Sequence, residues 1–153
     1  MKIKNKKFGE ASIDISKLIS IYPSSSILYS LKGTIELSEG KYDNAINYFS
    51  QAKKNNPDRK EVYFDLGTAY EMKLEYDAAI ENFSTVLDLD NEHLASHNSL
   101  ANVYLKIGDS ENALLSLQKA IKLDPNSTAV LNNLGNISKT QGDFETAIKY
   151  YKE

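Results

Sequence analysis

An all-α fold of stacked antiparallel helix pairs is predicted by two observations on this 153-residue sequence. The first is a period. Ala11, Ala45, Ala79, Ala113 and Ala147 stand 34 residues apart, and Gly33, Gly67, Ala101 and Gly135 keep the same step. Pro23, Pro57, Asn91 and Pro125 follow it, as do Phe8, Tyr42, Tyr76 and Phe144, with Ser110 as the one break. Composition does not place five alanines in register, whereas a 34-residue period is the sequence signature of a helix-turn-helix solenoid. The second observation is the pattern inside one period, clearest over residues 63–91. Tyr63, Leu66, Gly67 and Tyr70 share one helix face, and Tyr76, Ala78, Ala79, Phe83 and Val86 share another. Leu74-Glu75-Tyr76-Asp77 between them leaves room only for a tight reversal, so the small Gly67 and Ala79 fall where two helix backbones approach.

Bulk properties agree with a folded chain and exclude several functions. Hydrophobic content of 41% and charged content of 25% are ordinary for a soluble domain. A net charge of −3, evenly spread, leaves no footprint for nucleic acid or an acidic membrane surface. Arg59 is the single arginine, which removes most bidentate phosphate or carboxylate forks. Without cysteine there is no disulfide framework, thiolate metal site or cysteine nucleophile. The basic start MKIKNKKFGEASIDISK has no apolar core of signal-peptide length behind it. No run approaches the ~20 apolar residues of a membrane span. The default location is cytoplasmic.

The elements follow in order. Residues 1–7 are lysine-rich and expected to fray. Residues 8–21 form a helix with Ala11, Ile15, Leu18 and Ile19 inward, a second helix lacking its first, so 1–25 are a disordered start plus a half-repeat. Tyr22-Pro23-Ser24-Ser25 stops one helix and caps the next. Repeat 1 is 26–59: its first helix, 26–39, ends at Gly40, which tolerates the left-handed conformation after a helix, and its second, 43–55, carries Ala45, Phe49 and Ala52. Leu28, Leu31 and Ile35 form an apolar stripe, while Lys32 and Glu36 lie at i,i+4 spacing and can pair for ~0.2–0.5 kcal/mol. This helix is expected to pack less deeply because the unit before it is incomplete. Repeat 2 is 60–93. Repeat 3, 94–127, turns at Gly108-Asp109 and stops at Asp124-Pro125; repeat 4, 128–153, turns at Gly142-Asp143 and is truncated in its second helix. No Gly/Ser-rich linker divides this continuous domain. Its last helix carries Ala147, Ile148 and Tyr151 as an apolar stripe with nothing to cover it. Solenoids usually close on a polar face, so the sequence reads as a piece of a longer protein.

These residues resemble the tetratricopeptide repeat family. Its aromatic-x-x-Leu-Gly-x-x-Tyr…Ala-x-x-x-Phe…Pro pattern is met by Tyr63, Leu66, Gly67, Tyr70, Ala79 and Phe83, with Asn91 in the proline place. The resemblance runs over residues 8–153 and implies a right-handed α-solenoid whose first helices line a concave face. The concave positions it implies are Ser30 and Thr34; Phe64, Asp65 and Thr68; Asn98, Ser99 and Asn102; then Asn132, Asn133 and Asn136. Stacked repeats turn the asparagines into a ladder of amides, each carrying donors and an acceptor without a counter-ion. Asparagine costs a helix ~0.5 kcal/mol or more relative to alanine, so its clustering calls for a reason. The family's clamp for chaperone C-terminal carboxylates is disfavoured, because Ser30, Glu61, Asp65, Ala129 and Asn133 stand where it needs cations.

Chemistry beyond binding finds little support. His93 and His97 have i,i+4 ligand spacing, but Leu94 replaces the glutamate of a zinc-protease helix, and His97 stands in register with Tyr29 and Tyr63, a packing place. Gly33, Gly67 and Gly135 lie inside helices, so no glycine-rich phosphate loop exists. The expectation is a chain that is not an enzyme, without cofactor or metal. The leading function is a protein–protein interaction scaffold that binds an extended peptide through Phe64, Asp65, Thr68, Asn98, Asn102, Asn132, Asn133 and Asn136. A second reading makes it the substrate-recruiting region of a larger bacterial enzyme. Asn133-Leu134-Gly135-Asn136, echoed by Ser99-Leu100-Ala101-Asn102, resembles the repeats of protein O-linked N-acetylglucosamine transferases and of bacterial repeat proteins with glycosyltransferase or sulfotransferase domains. A third is an assembly scaffold that self-associates through the uncapped end at Tyr151.

Overall fold

A computed structural model describes residues 2–152 of the chain, with side chains over 9–152. Among the described residues the regular structure is nine helices, with no strand. They are α1 (Lys2–Ile21), α2 (Ser26–Ser38), α3 (Tyr42–Asn55), α4 (Lys60–Met72), α5 (Tyr76–Leu89), α6 (Leu94–Lys106), α7 (Ser110–Leu123), α8 (Thr128–Thr140) and α9 (Phe144–Lys152). The starts of α2, α4, α6 and α8 are 34 residues apart, so each period encodes one helix pair. Of the start expected to fray, residue 1 lies outside the described residues and residues 2–7 belong to α1. The chain forms two compact units, Met1–Asn82 and Phe83–Glu153.

In the first unit α2 packs on α3, and α3 on α4. Ala45, Phe49 and Ala52 of α3 meet Val62, Leu66 and Ala69 of α4 in one core. Burying Phe49 or Leu66 contributes ~1.5–3 kcal/mol each. Gly33 allows the α2–α3 approach: a Cβ there would lie 2.5 Å from Phe49 Cε1. Helix α1 is less covered than its pattern predicts. Ala11 and Leu18 are exposed, and Ile15 and Ile19 only half-buried, because among the described residues α1 packs on α2 and on no other helix.

A second expectation is corrected at α2. Lys32 and Glu36 are both 7% exposed, so the helix buries them rather than riding higher. Lys32 Nζ donates to Ser12 O at 3.0 Å and Ser16 Oγ at 3.0 Å, and it also meets Ser12 Oγ. Glu36 lies 4.0 Å from Lys32 and 3.9 Å from Lys41, and accepts from Asn44 Nδ2 at 3.0 Å. The i,i+4 pair forms, as a buried network that also fastens α1.

In the second unit α6 packs on α7, α7 on α8, and α8 on α9. Ala101, Ala113, Leu117, Ala120, Val130, Leu134 and Ile137 form its core. A Cβ on Gly135 would run into the Tyr151 ring. The terminal stripe is shifted from the expected one: Ala147 is buried, and Phe144, Ile148 and Tyr151 are the exposed apolar residues. Facing inward is what the register requires of Ala147, since Ala45, Ala79 and Ala113 are buried too.

The turns share one geometry. Gly40, Gly108 and Gly142 take φ of 74°, 83° and 81°. The fourth place in this register is Leu74, which takes φ 67° and is the one non-glycine residue at positive φ among the described residues. Among the described residues no helix is long and apolar enough to cross a membrane.

Candidate functional site

Two helices carry the amide cluster. His93 starts α6 as its cap, its side chain accepting from Ser96 N–H at 3.2 Å. One turn apart, Asn98 and Asn102 then lie on one stripe of α6, both half-buried. Asn133 comes from α8, which contacts α6 directly. Its Nδ2 donates to Asn98 Oδ1 at 2.9 Å and to Asn102 Oδ1 at 2.8 Å. Both amide protons of Asn133 are thereby used, which leaves its Oδ1 as an acceptor and the Nδ2 groups of Asn98 and Asn102 as donors. The cluster presents the complement of a peptide unit, and its members hold one another in place.

Other expected residues are placed differently. Asn136 is exposed, and its Oδ1 accepts from the Tyr151 hydroxyl at 2.8 Å, so it leaves the ladder. Asn132 is exposed. In the first unit Phe64, Asp65 and Thr68 are half-buried on α4, and Thr68 Oγ1 donates to Phe64 O at 2.9 Å. Burial pushes the Asp65 carboxyl up to about 6, with Glu61 adding to the rise and Arg59 opposing it. Arg59 itself pairs with Glu61 at 3.4 Å. Ser30 is buried, its hydroxyl without a hydrogen-bond partner among the described residues, and Thr34 donates to the Ser30 carbonyl at 3.0 Å.

The histidines have structural work. His97 is 4% exposed and its Nε2 meets Asn91 O at 2.9 Å, fixing the α5–α6 turn. Among the described residues no three His, Cys, Asp or Glu side chains are grouped to hold a metal. Sequence reasoning missed the Tyr151–Asn136 bond. Its signal was there: Tyr151 stands in register with Phe49, Phe83 and Leu117, so its ring must point at α8.

Three tetratricopeptide-repeat profiles match the chain, over residues 31–96, 95–127 and 116–149. The chain belongs to the tetratricopeptide-repeat family. No curated protein sequence matches it. Among solved structures it is similar to MamA, at 22% identity over 99% of this chain and 88% of that one, TM-score 0.87. A chain of the APC/C hetero-tetramer Cut9–Hcn1 is 22% identical over 96% of this chain and 28% of its own, TM-score 0.86. YrrB, described as a TPR protein with an unusual peptide-binding site, is 16% identical over 96% of this chain and 76% of its own, TM-score 0.76. At these identities the likeness is one of fold. The repeats make this chain an all-α scaffold of the protein-interaction class.

Proposed function

We propose that the chain is an interaction module that holds an extended peptide of a protein partner against the first-helix face of its repeats, with Asn98, Asn102 and Asn133 as the anchor. The observation that supports this is the double donation from Asn133 across two helices. Asparagines placed merely for solubility would face water separately. These three are pre-oriented, and pre-ordered side chains lose less freedom on binding. Their free donors and acceptor read peptide backbone, which makes the site tolerant of sequence. Modest hydrogen bonds of ~0.5–1.5 kcal/mol each imply micromolar affinity for a short peptide. Asn132 extends the proposed surface, while Asn136 joins only when Tyr151 releases it; Phe64, Asp65 and Thr68 are the proposed peptide contacts of the first unit, taken by itself.

The test begins with extended peptides selected by display on the full chain. Their affinities are then measured for Asn102→Ala with Asn133→Ala. Binding at least roughly tenfold weaker, with helicity unchanged, is expected from the loss of two or more such bonds. Selected peptides that bind the double variant equally well would remove the reading.

A further inference from the structure

A different face of α6 floors a cleft that the amide cluster does not use. His97, Leu100 and Tyr104 project between α7 and the end of α5, at positions one or two turns apart, away from the Asn98–Asn102 stripe. Two adjoining cavities, of about 470 and 270 Å³, share Leu87, Asp88, His97 and Lys119. One wall is a stripe of α5, Ser84 to Asp88, continued by Asn91 and Glu92. The other is a stripe of α7 from Asn112 to Leu123, which at 1.5 Å per residue is ~16 Å, or about three turns. All these residues belong to the second unit.

The walls differ in charge. Asp88 and Glu92 stand on the α5 side, Lys119 and Lys122 on the α7 side. None of the four is in an ion pair among the described residues. Leu115 and Leu123, 51% and 38% exposed, add apolar surface along the lysine wall. Both walls are helix faces whose backbone is already paired, so they offer nothing to an extended strand. Affinity here has to come from side-chain burial, which an amphipathic helix laid in a groove supplies.

We propose that this cleft is a second docking surface, which takes a short amphipathic helix of a partner protein. Its apolar stripe lies over Leu87, Leu100 and Leu115, with acidic side chains beside Lys119 and Lys122 and basic ones beside Asp88 and Glu92. Opposed lips of this kind set partner choice more than raw strength, since like charges brought together are penalised. The surface is independent of the amide cluster, so one chain can hold two partner segments.

The test uses three fluorescent helical peptides of about four turns with the same leucine stripe. One carries glutamates on one flank and lysines on the other, one only glutamates, and one only lysines. The segregated peptide should bind the full chain saturably, and roughly tenfold or more weakly to Lys119→Glu with Lys122→Glu. That variant, with two acidic lips, should instead prefer the all-lysine peptide; this gain of binding separates the effect from misfolding. Amide shifts should map to α5 and α7, and Asn102→Ala with Asn133→Ala should bind normally. Affinities blind to the charge reversal, shifts centred on Asn98 and Asn133, or no saturable binding would each overturn the proposal. So would a concentration-dependent mass of the chain alone that the charge reversal abolishes, which would make the occupant a second copy.

Discussion

The first and third repeats fill the same two places with opposite chemistry. Lys32 and Glu36 of α2 stand in register with Leu100 and Tyr104 of α6. Lys32 is 7% exposed and Leu100 5%. At that place depth is set by the 34-residue register, while at the other Glu36 is buried and Tyr104 half-buried. What changes is the neighbourhood. Leu100 needs only packing, whereas Lys32 needs oxygens, and Ser12 and Ser16 of α1 supply them. The lysine makes α1 and α2 a specific pair, at the cost of desolvating an ammonium.

This difference can be broken by removing one partner. Lys32→Met leaves Glu36 buried against Asn44, with the exposed Lys41 at 3.9 Å as its remaining counter-charge. Urea unfolding should show a loss below the ~3–5 kcal/mol of a fully orphaned buried charge, because Lys41 and Asn44 still face Glu36. Lys32→Leu with Glu36→Tyr instead writes the third repeat's residues into the first. It should return to the parent's stability or exceed it by ~1–4 kcal/mol. Serines 12 and 16 tolerate the change, since Ser16 already donates to its own helix at Ser12 O, 2.8 Å. A single variant as stable as the parent would mean that the network is ornamental.

A second contrast lies one repeat on. Asp65 shares its register place with Ser99 and Asn133, but it alone there carries a titrating group. Its pKa in the folded chain, about 6 against 3.8, is raised by burial. The folded state thus holds the proton more tightly than the unfolded one. The favourable contribution is fully present below pH 3.8 and is lost as pH rises through 6. After discounting for partial exposure, ~1–2 kcal/mol is at stake between those limits. Asp65→Asn should be the more stable chain at pH 7, and its stability should vary less across pH 4–6 than the parent's. Parallel stability–pH curves would show that Asp65 is solvated after all.

Much of this was legible because repeat contacts are local. Helix pairs, the Gly33 contact with Phe49 and the left-handed turn at Gly40 all follow from register and residue size. The asparagine cluster was legible as a set of positions, but its wiring was not. Whether Asn133 reaches Asn98 or Asn102 depends on side-chain torsions and on the α6–α8 spacing, which no sequence period encodes. The Asn136 bond was not legible for a related reason: a phenol in a phenylalanine place adds a hydroxyl, and here it donates to Asn136. Helix α1 was overestimated because an apolar stripe tells which side faces a neighbour, not how many neighbours there are.

The smallest contrast sits in the turns. Gly40, Gly108 and Gly142 close three helix pairs with positive φ at no steric cost. Leu74 closes the fourth with φ 67° and a side chain 66% exposed. Its Cβ crowds the following carbonyl, a cost of ~1–2 kcal/mol, and exposure means that packing returns little of it. Leu74→Gly removes the crowding but makes the unfolded chain more flexible, which takes back ~0.5–1 kcal/mol. A net gain of about 0.5–1 kcal/mol in denaturant unfolding is therefore expected. The reverse swap, Gly108→Leu, should lose ~1 kcal/mol or more, because the third repeat would acquire the second's strain. Equal and opposite shifts would show that the four turns are interchangeable parts of one register. A loss of stability in Leu74→Gly would mean instead that the exposed leucine holds its turn by contacts that outweigh its backbone strain.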